Sequence, residues 1–316
     1  MSEIVLIVAP VAGLVLLGWA VAKTGYLPGE AVSVLPAFAF RVTMPALIFR
    51  AFVSVDSLPS SPETMIFVYF GAVAIIWVLA SAATVVVLRR PAPDAAPISM
   101  ATSFSNTVML GLPLSYAAFG PEAAIPAAII IAIDTPLMWL AAVLHVELAL
   151  HGRSGLKFAT VKPVLLRLFT NPIIIATLAG VAARLAGLQL GELPARFVNL
   201  LADAAVPTAL FALGMSLSTF RLAGQVPTLI AMTVLKLAIM PAVVLGLAMY
   251  VWPLSPVWFA VAMLFAALPV GANPYLFAAQ YGRAEGTVSA SIAVTTVLSL
   301  ATVSAMLVYL KGLPPA

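Results

Sequence analysis

Ser105-Asn106-Thr107-Val108-Met109-Leu110-Gly111-Leu112-Pro113, SNTVMLGLP, lies inside a long apolar run. A uniform membrane helix has no use for a polar triplet, a glycine and a proline at mid-depth. A second segment of the same kind, LPVGANPYLFAAQYG from Leu268 to Gly282, carries Pro269, Gly271, Asn273 and Pro274 inside another apolar run. Asn273 before Pro274 reads as an N-cap followed by proline at the first helical position. Each run is therefore expected to stop and restart within the membrane.

The rest of the chain supplies the membrane. Of its 316 residues, 63% are hydrophobic and 8% charged, against about 25% charged in soluble domains. A mean hydropathy of +1.15 leaves too little polar surface to cover a soluble globule. The chain reads as an all-α polytopic membrane protein. Cysteine is absent, which excludes disulfides, cysteine metal sites and thiol catalysis. The net charge of +4 fits basic cytoplasmic loops rather than nucleic-acid binding. Glu3 precedes the first apolar run, which has no basic lead and no cleavage signature, so it is expected as a first span rather than a signal peptide.

Ten apolar runs are long enough to cross a bilayer, at roughly 3–23, 31–54, 64–89, 97–119, 122–150, 163–187, 194–219, 224–252, 255–281 and 285–311. They divide into a first five-helix unit over 1–150, a cytoplasmic connector over 151–162 and a second five-helix unit over 163–316. Loops after odd-numbered spans and their flanks hold nine basic residues (Lys23, Arg89, Arg90, Arg153, Lys157, Lys162, Arg167, Arg221 and Arg283), against four on the other side (Arg50, Arg184, Arg196 and Lys311). The positive-inside rule then puts the odd loops in the cytoplasm and both termini outside, periplasmic for a bacterial inner membrane.

Shifting the chain by 162 residues lays Pro10 on Pro172, Gly18 on Gly180, Gly25 on Gly187, Gly29 on Gly191, Pro45 on Pro207, Pro91 on Pro253 and Gly120 on Gly282. Phe49 lands on Phe211 and Glu30 on Glu192. About one or two Gly or Pro coincidences would arise by chance, so an internal repeat is expected. Five spans per unit forces the second to insert upside down. Two inverted five-helix repeats with broken helices four and nine are a signature of secondary transporters, whose site lies near the midplane between repeats. Backbone freed by the breaks must line a cavity or be covered by protein. Half-helix N-termini brought together there would suit a carboxylate, with Asn106 and Asn273 as neutral partners. The plainer alternative is a pair of proline kinks satisfied by neighbouring helices.

The ordered set of motifs Asn106–Leu114, Leu268–Ala278, Thr43–Phe49, Pro207–Gly214 and Phe169–Pro172 resembles the auxin efflux carrier family, in the wider group of bile-acid, arsenite and riboflavin transporters. The similarity covers nearly the whole chain. It implies the bile-acid-sodium-symporter-like fold, with a scaffold of helices one, two, six and seven. Helices three to five and eight to ten would form a transport core moving in elevator fashion. It also implies substrate binding by Asn106, and a homodimer. The crossover residues Gly111, Pro113, Pro269, Asn273, Pro274 and Tyr275 are the further binding candidates. No acidic residue stands between Pro269 and Gln280, a departure from the sodium-coupled relatives.

Four ionisable residues fall well inside spans: Arg41, Asp134, Asp203 and Lys236. Such residues are costly and point first to function. Arg41 would attract an anion, pair with Asp203, its repeat equivalent, or snorkel to the interface. Asp134 would couple protons, or pair with Lys236. His145, Glu147 and His151 have no convincing metal-ligand arrangement. No catalytic dyad and no Walker motif appears, so neither an enzyme nor an ATP-driven pump is expected. No cofactor is called for. The expected function is secondary transport of a small organic anion, an auxin-like monocarboxylate or a malate- or malonate-like dicarboxylate. A sodium symporter of the same fold, and a channel, are the alternatives.

Overall fold

The computed structural model describes residues 3–54, 62–152, 170–188, 190–219 and 225–312. The motif residue Phe169, the connector beyond Gly152, and Arg153, Lys157, Lys162, Arg167 and Arg221 lie outside them. The described chain is helical: α1 (Glu3–Thr24), α2 (Ala31–Ser54), α3 (Pro62–Val87), α4 (Ala95–Ser103), α5 (Thr107–Phe119), α6 (Pro121–His151), α7 (Pro172–Leu185), α8 (Glu192–Leu217), α9 (Val226–Tyr250), α10 (Pro256–Ala267), α11 (Asn273–Tyr281) and α12 (Glu285–Lys311). Six of them, α2, α3, α6, α8, α9 and α12, are long and apolar enough to cross a bilayer. Shorter apolar helices include α5, α7 and α10. Large apolar side chains such as Val78, Val86, Leu178 and Val297 face outward, as lipid contact requires. This is a polytopic membrane protein.

Prolines shape the long helices. Proline removes one backbone N–H and its ring meets the carbonyl four residues back. Widened π-turns absorb this at Ala39–Thr43, Thr107–Gly111 and Leu235–Ile239. Each ends two residues before a proline, at Pro45, Pro113 and Pro241. Arg41 and Lys236 both sit within such turns, where a helix is locally rewound and side chains are re-aimed.

Two groups of helices pack internally. In one, α1 lies against the second half of α8, and α2 packs on α7 and α8. In the other, α3 packs on α4 and α9, α10 on α9 and α12, and α11 on α4 and α12. Arg90, bonded to Asp94 at 2.9 Å, reaches Gln225 at 3.4 Å and Thr287 at 3.5 Å, so it ties the entries of α4, α9 and α12 together.

Small residues set the closest approaches. A Cβ on Gly18 would overlap the carbonyl oxygen of Phe211, and one on Gly214 the carbonyl oxygen of Val15. One on Gly180 would lie 2.7 Å from the Cβ of Phe52. Close backbone approach at small residues is how membrane helices gain packing energy without a hydrophobic drive. Gly214→Leu should push α1 off α8, because the clashing atom is backbone and cannot rotate away. A destabilisation of about 3 kcal/mol or more is expected, seen as a sharply lowered melting temperature in detergent. Melting within a degree or two of the parent would show that this contact is not needed.

Candidate functional site

The break in each half-helix pair is real and the two breaks touch. Helix α4 ends at Ser103 and α5 starts at Thr107; α10 ends at Ala267 and α11 starts at Asn273. Ser105 and Val270 form an antiparallel bridge, the only β-pairing among the described residues. The Asn106 N–H donates to the Pro269 carbonyl at 2.9 Å, and the Gly271 N–H to that of Phe104 at 3.2 Å. The Val270 N–H donates to Thr295 Oγ1 at 3.1 Å. Buried polar backbone freed from helix is thus satisfied partly by the opposite break.

Glycine makes the crossing possible. A Cβ on Gly271 would stand 2.7 Å from the ring of Phe104, and one on Gly111 would stand 2.7 Å from Leu268 Cδ1. Gly111 and Pro113 are both buried. They let α5 ride over the end of α10 and do not line the cavity. Pro269 contributes through its carbonyl. Pro274 is buried at the start of α11, and Tyr275 is half-buried against the cluster that includes Ile98, Ala101 and Val270.

Beside the crossing lies a cavity of about 870 Å³. The first turns of α5 and α11 reach it through Asn106–Met109 and Ala272–Asn273. Arg41, Asn171 and Ser216 face it from α2, the start of α7 and α8, and Thr135 faces it from α6. Asn106 is 8% exposed and takes the N-cap position of α5, yet its side chain makes no capping bond. Its carboxamide has no hydrogen-bond partner within the described protein. Asn273 is not the N-cap expected from sequence. Ala272 takes that position, and the Asn273 side chain donates to Thr135 Oγ1 at 3.4 Å instead. Arg41 is exposed in the cavity wall and forms no ion pair in the described protein.

The expected ion pairs are rearranged. Asp203 does not meet Arg41; it binds Arg50 at 2.7 Å. Asp203 lies at the junction before Ala204, where α8 changes course, at a level reached from Arg41 only after nine residues of α2. Arg50 also donates to the Tyr116 hydroxyl of α5 at 3.3 Å. Asp134 and Lys236 are both fully buried and form no salt bridge with each other. Neither Asp134 carboxylate oxygen has a hydrogen-bond partner among the described residues. Lys236 turns instead to the crossing and donates to Ser105 Oγ at 2.6 Å. Tyr69 OH meets the same Ser105 oxygen at 3.2 Å.

Sequence reasoning passed over Ser105, Tyr69, Thr135, Asn171 and Ser216. Ser105 and Asn171 stood inside quoted motifs, and Thr135 next to a buried aspartate. Tyr69 and Ser216 carried no signal beyond residue type.

A family model described as "Membrane transport protein" matches residues 3–307. A Rhizobium meliloti protein named "Putative malonate transporter" is 30% identical over 314 residues, 99% of this chain and 97% of that one. An "Uncharacterized transporter" of Methanothermobacter thermautotrophicus is 28% identical over 91% of this chain and 92% of its own. "Auxin efflux carrier component 8" of Arabidopsis thaliana is 32% identical over 43% of this chain and 38% of that protein.

Proposed function

The chain belongs to the auxin efflux carrier family of membrane transport proteins, and on that premise we propose that it carries a small carboxylate, malonate-like in size and charge, by alternating access. The observation that carries this reading is the convergence of Arg41, Asn106 and Asn273 on one cavity beside the Ser105–Val270 crossing. Arg41 supplies a cation to the cavity, and the two carboxamides and the half-helix N-termini receive a carboxylate there. The malonate assignment follows the name of the Rhizobium relative.

In this reading the chain has ten spans in two inverted repeats. Helices α4 with α5 make the fourth span and α10 with α11 the ninth. Both termini face outward from a bacterial inner membrane. The scaffold is α1, α2, α7 and α8; the remaining helices form the mobile core. Packing supports the division. So does a reciprocal contact: Gly18 meets Phe211 while its repeat mate Gly180 meets Phe49 and Phe52. Arg50, bonded to Asp203 of the scaffold and Tyr116 of the core, closes the side away from the cavity. Nine residues of helix, about 13 Å, separate it from Arg41. Movement of the core must break the Tyr116 bond.

Counterflow in proteoliposomes tests the proposal. With unlabelled malonate inside and labelled malonate outside, transient accumulation is expected in sodium-free buffer. Accumulation only with sodium would move the protein to sodium symport. Single-channel currents in place of saturable exchange would make it a channel. Absence of exchange for malonate, malate and indole-acetate alike would remove the carboxylate reading.

A further inference from the structure

The crossing has two ends of opposite character. The N-termini of α5 and α11 face the cavity. The C-termini of α4 and α10 lie at Ser103 and Ala267, and neither residue lines the cavity. A helix C-terminus carries about half a negative charge and unpaired carbonyls. Thr302 Oγ1 donates to the Ala267 carbonyl at 3.3 Å, and two such termini meeting in a buried region still favour a cation beside them. Broken membrane helices commonly meet this need with a bound ion.

Here a side chain occupies that place. Lys236 is fully buried. Its Nζ donates to Ser105 Oγ at 2.6 Å, to Met240 Sδ at 3.0 Å and to the Ala266 carbonyl, in the last turn of α10, at 3.3 Å. An ammonium has three donors and no acceptor, and these three contacts use them all. Ser105 Oγ is shared with Tyr69, and Ser105 is the bridge residue next to Asn106. The buried Asp134 carboxylate makes none of these contacts.

We propose that Lys236 is a built-in cation that neutralises the α4 and α10 C-termini and, through Ser105, positions Asn106 for the substrate. It is a positioning residue, since it acts through Ser105 and does not line the cavity. Its effect on substrate rests on the carboxylate reading; its role as the cation of the crossing does not.

The test removes the charge and then returns it. Lys236→Ala leaves room for a small amine, while Lys236→Met fills the space without charge. Both are made in the full chain, purified with methylammonium chloride and placed in nanodiscs. Lys236→Ala should melt about 3 °C or more higher in methylammonium than in equimolar choline, because the amine enters the vacated place and choline does not. The parent should melt alike in both. Malonate counterflow should fall at least tenfold in Lys236→Met, and in Lys236→Ala should recover severalfold with methylammonium. Three results would overturn the proposal: Lys236→Met within twofold of the parent in counterflow, no difference between the amines for Lys236→Ala, or failure of methylammonium to recover folded Lys236→Ala. If the parent itself exchanges no carboxylate, the carrier reading falls, while the melting comparison still decides the cation.

Discussion

If the chain carries malonate as proposed, Asn106→Ala should lower malonate affinity about 10- to 100-fold while the protein melts within a few degrees of the parent. A hydrogen bond to a charged group contributes about 1.5–3 kcal/mol, and 1.4 kcal/mol is a factor of ten. The side chain can be removed cheaply because it is free: it makes no capping bond and has no partner in the described protein. The backbone N–H of residue 106, which holds Pro269, remains after truncation. Asn106→Asp should be worse than Asn106→Ala, since it sets a negative charge against an anion. Asn273→Ala should cost less, because that carboxamide is already engaged with Thr135. The check is titration of purified protein with malonate beside thermal melting. Affinity within twofold of the parent in Asn106→Ala would take the crossing out of substrate binding.

The breaks were legible because polar and helix-breaking residues have no other place in a run as apolar as 97–119 or 255–281. Their contact was expected on the same grounds, since lipid cannot satisfy freed backbone. The details of register were not legible. The ungapped overlay sets Ser105 on Ala267, yet the chain crosses at Val270, and the extra turn at Thr107–Gly111 takes up the difference. Beyond the crossing the overlay recovers: Gly120 and Gly282 both take positive φ, 77° and 62°. Gly111 and Pro113 belong to the crossover motif, but a helical turn sets Gly111 against α10, and neither residue lines the cavity. The buried charges were matched by sign and by repeat position. Lys236 bonds a hydroxyl, a sulfur and a carbonyl, and acts on Asp134 only through charge at longer range. Sequence spacing could not have ranked those partners, which lie 4, 30 and 131 residues from Lys236.

The Arg41–Asp203 alternative makes a sharp contrast with what the geometry supports. Were the two a structural pair, Arg41→Gln and Asp203→Asn would destabilise to a similar degree, and the double variant would cost little more than either alone. Since Asp203 binds Arg50 instead, the two substitutions should separate. Arg41→Gln keeps a hydrogen-bonding side chain of similar length and removes only the charge from the cavity wall. A cation facing an anion in a partly solvated cavity contributes on the order of 2–3 kcal/mol after screening, so affinity should fall about 30- to 150-fold, with melting unchanged. Asp203→Asn breaks a pair whose acidic partner is 70% exposed. Exposed pairs contribute about 0–1 kcal/mol, so its melting temperature should drop by about 4 °C at most, with affinity for malonate intact. Equal thermal losses in the two variants, with little change in malonate binding, would return Arg41 to a structural role. Loss of binding in Arg41→Gln alone would make it the charge that brings the anion to the crossing.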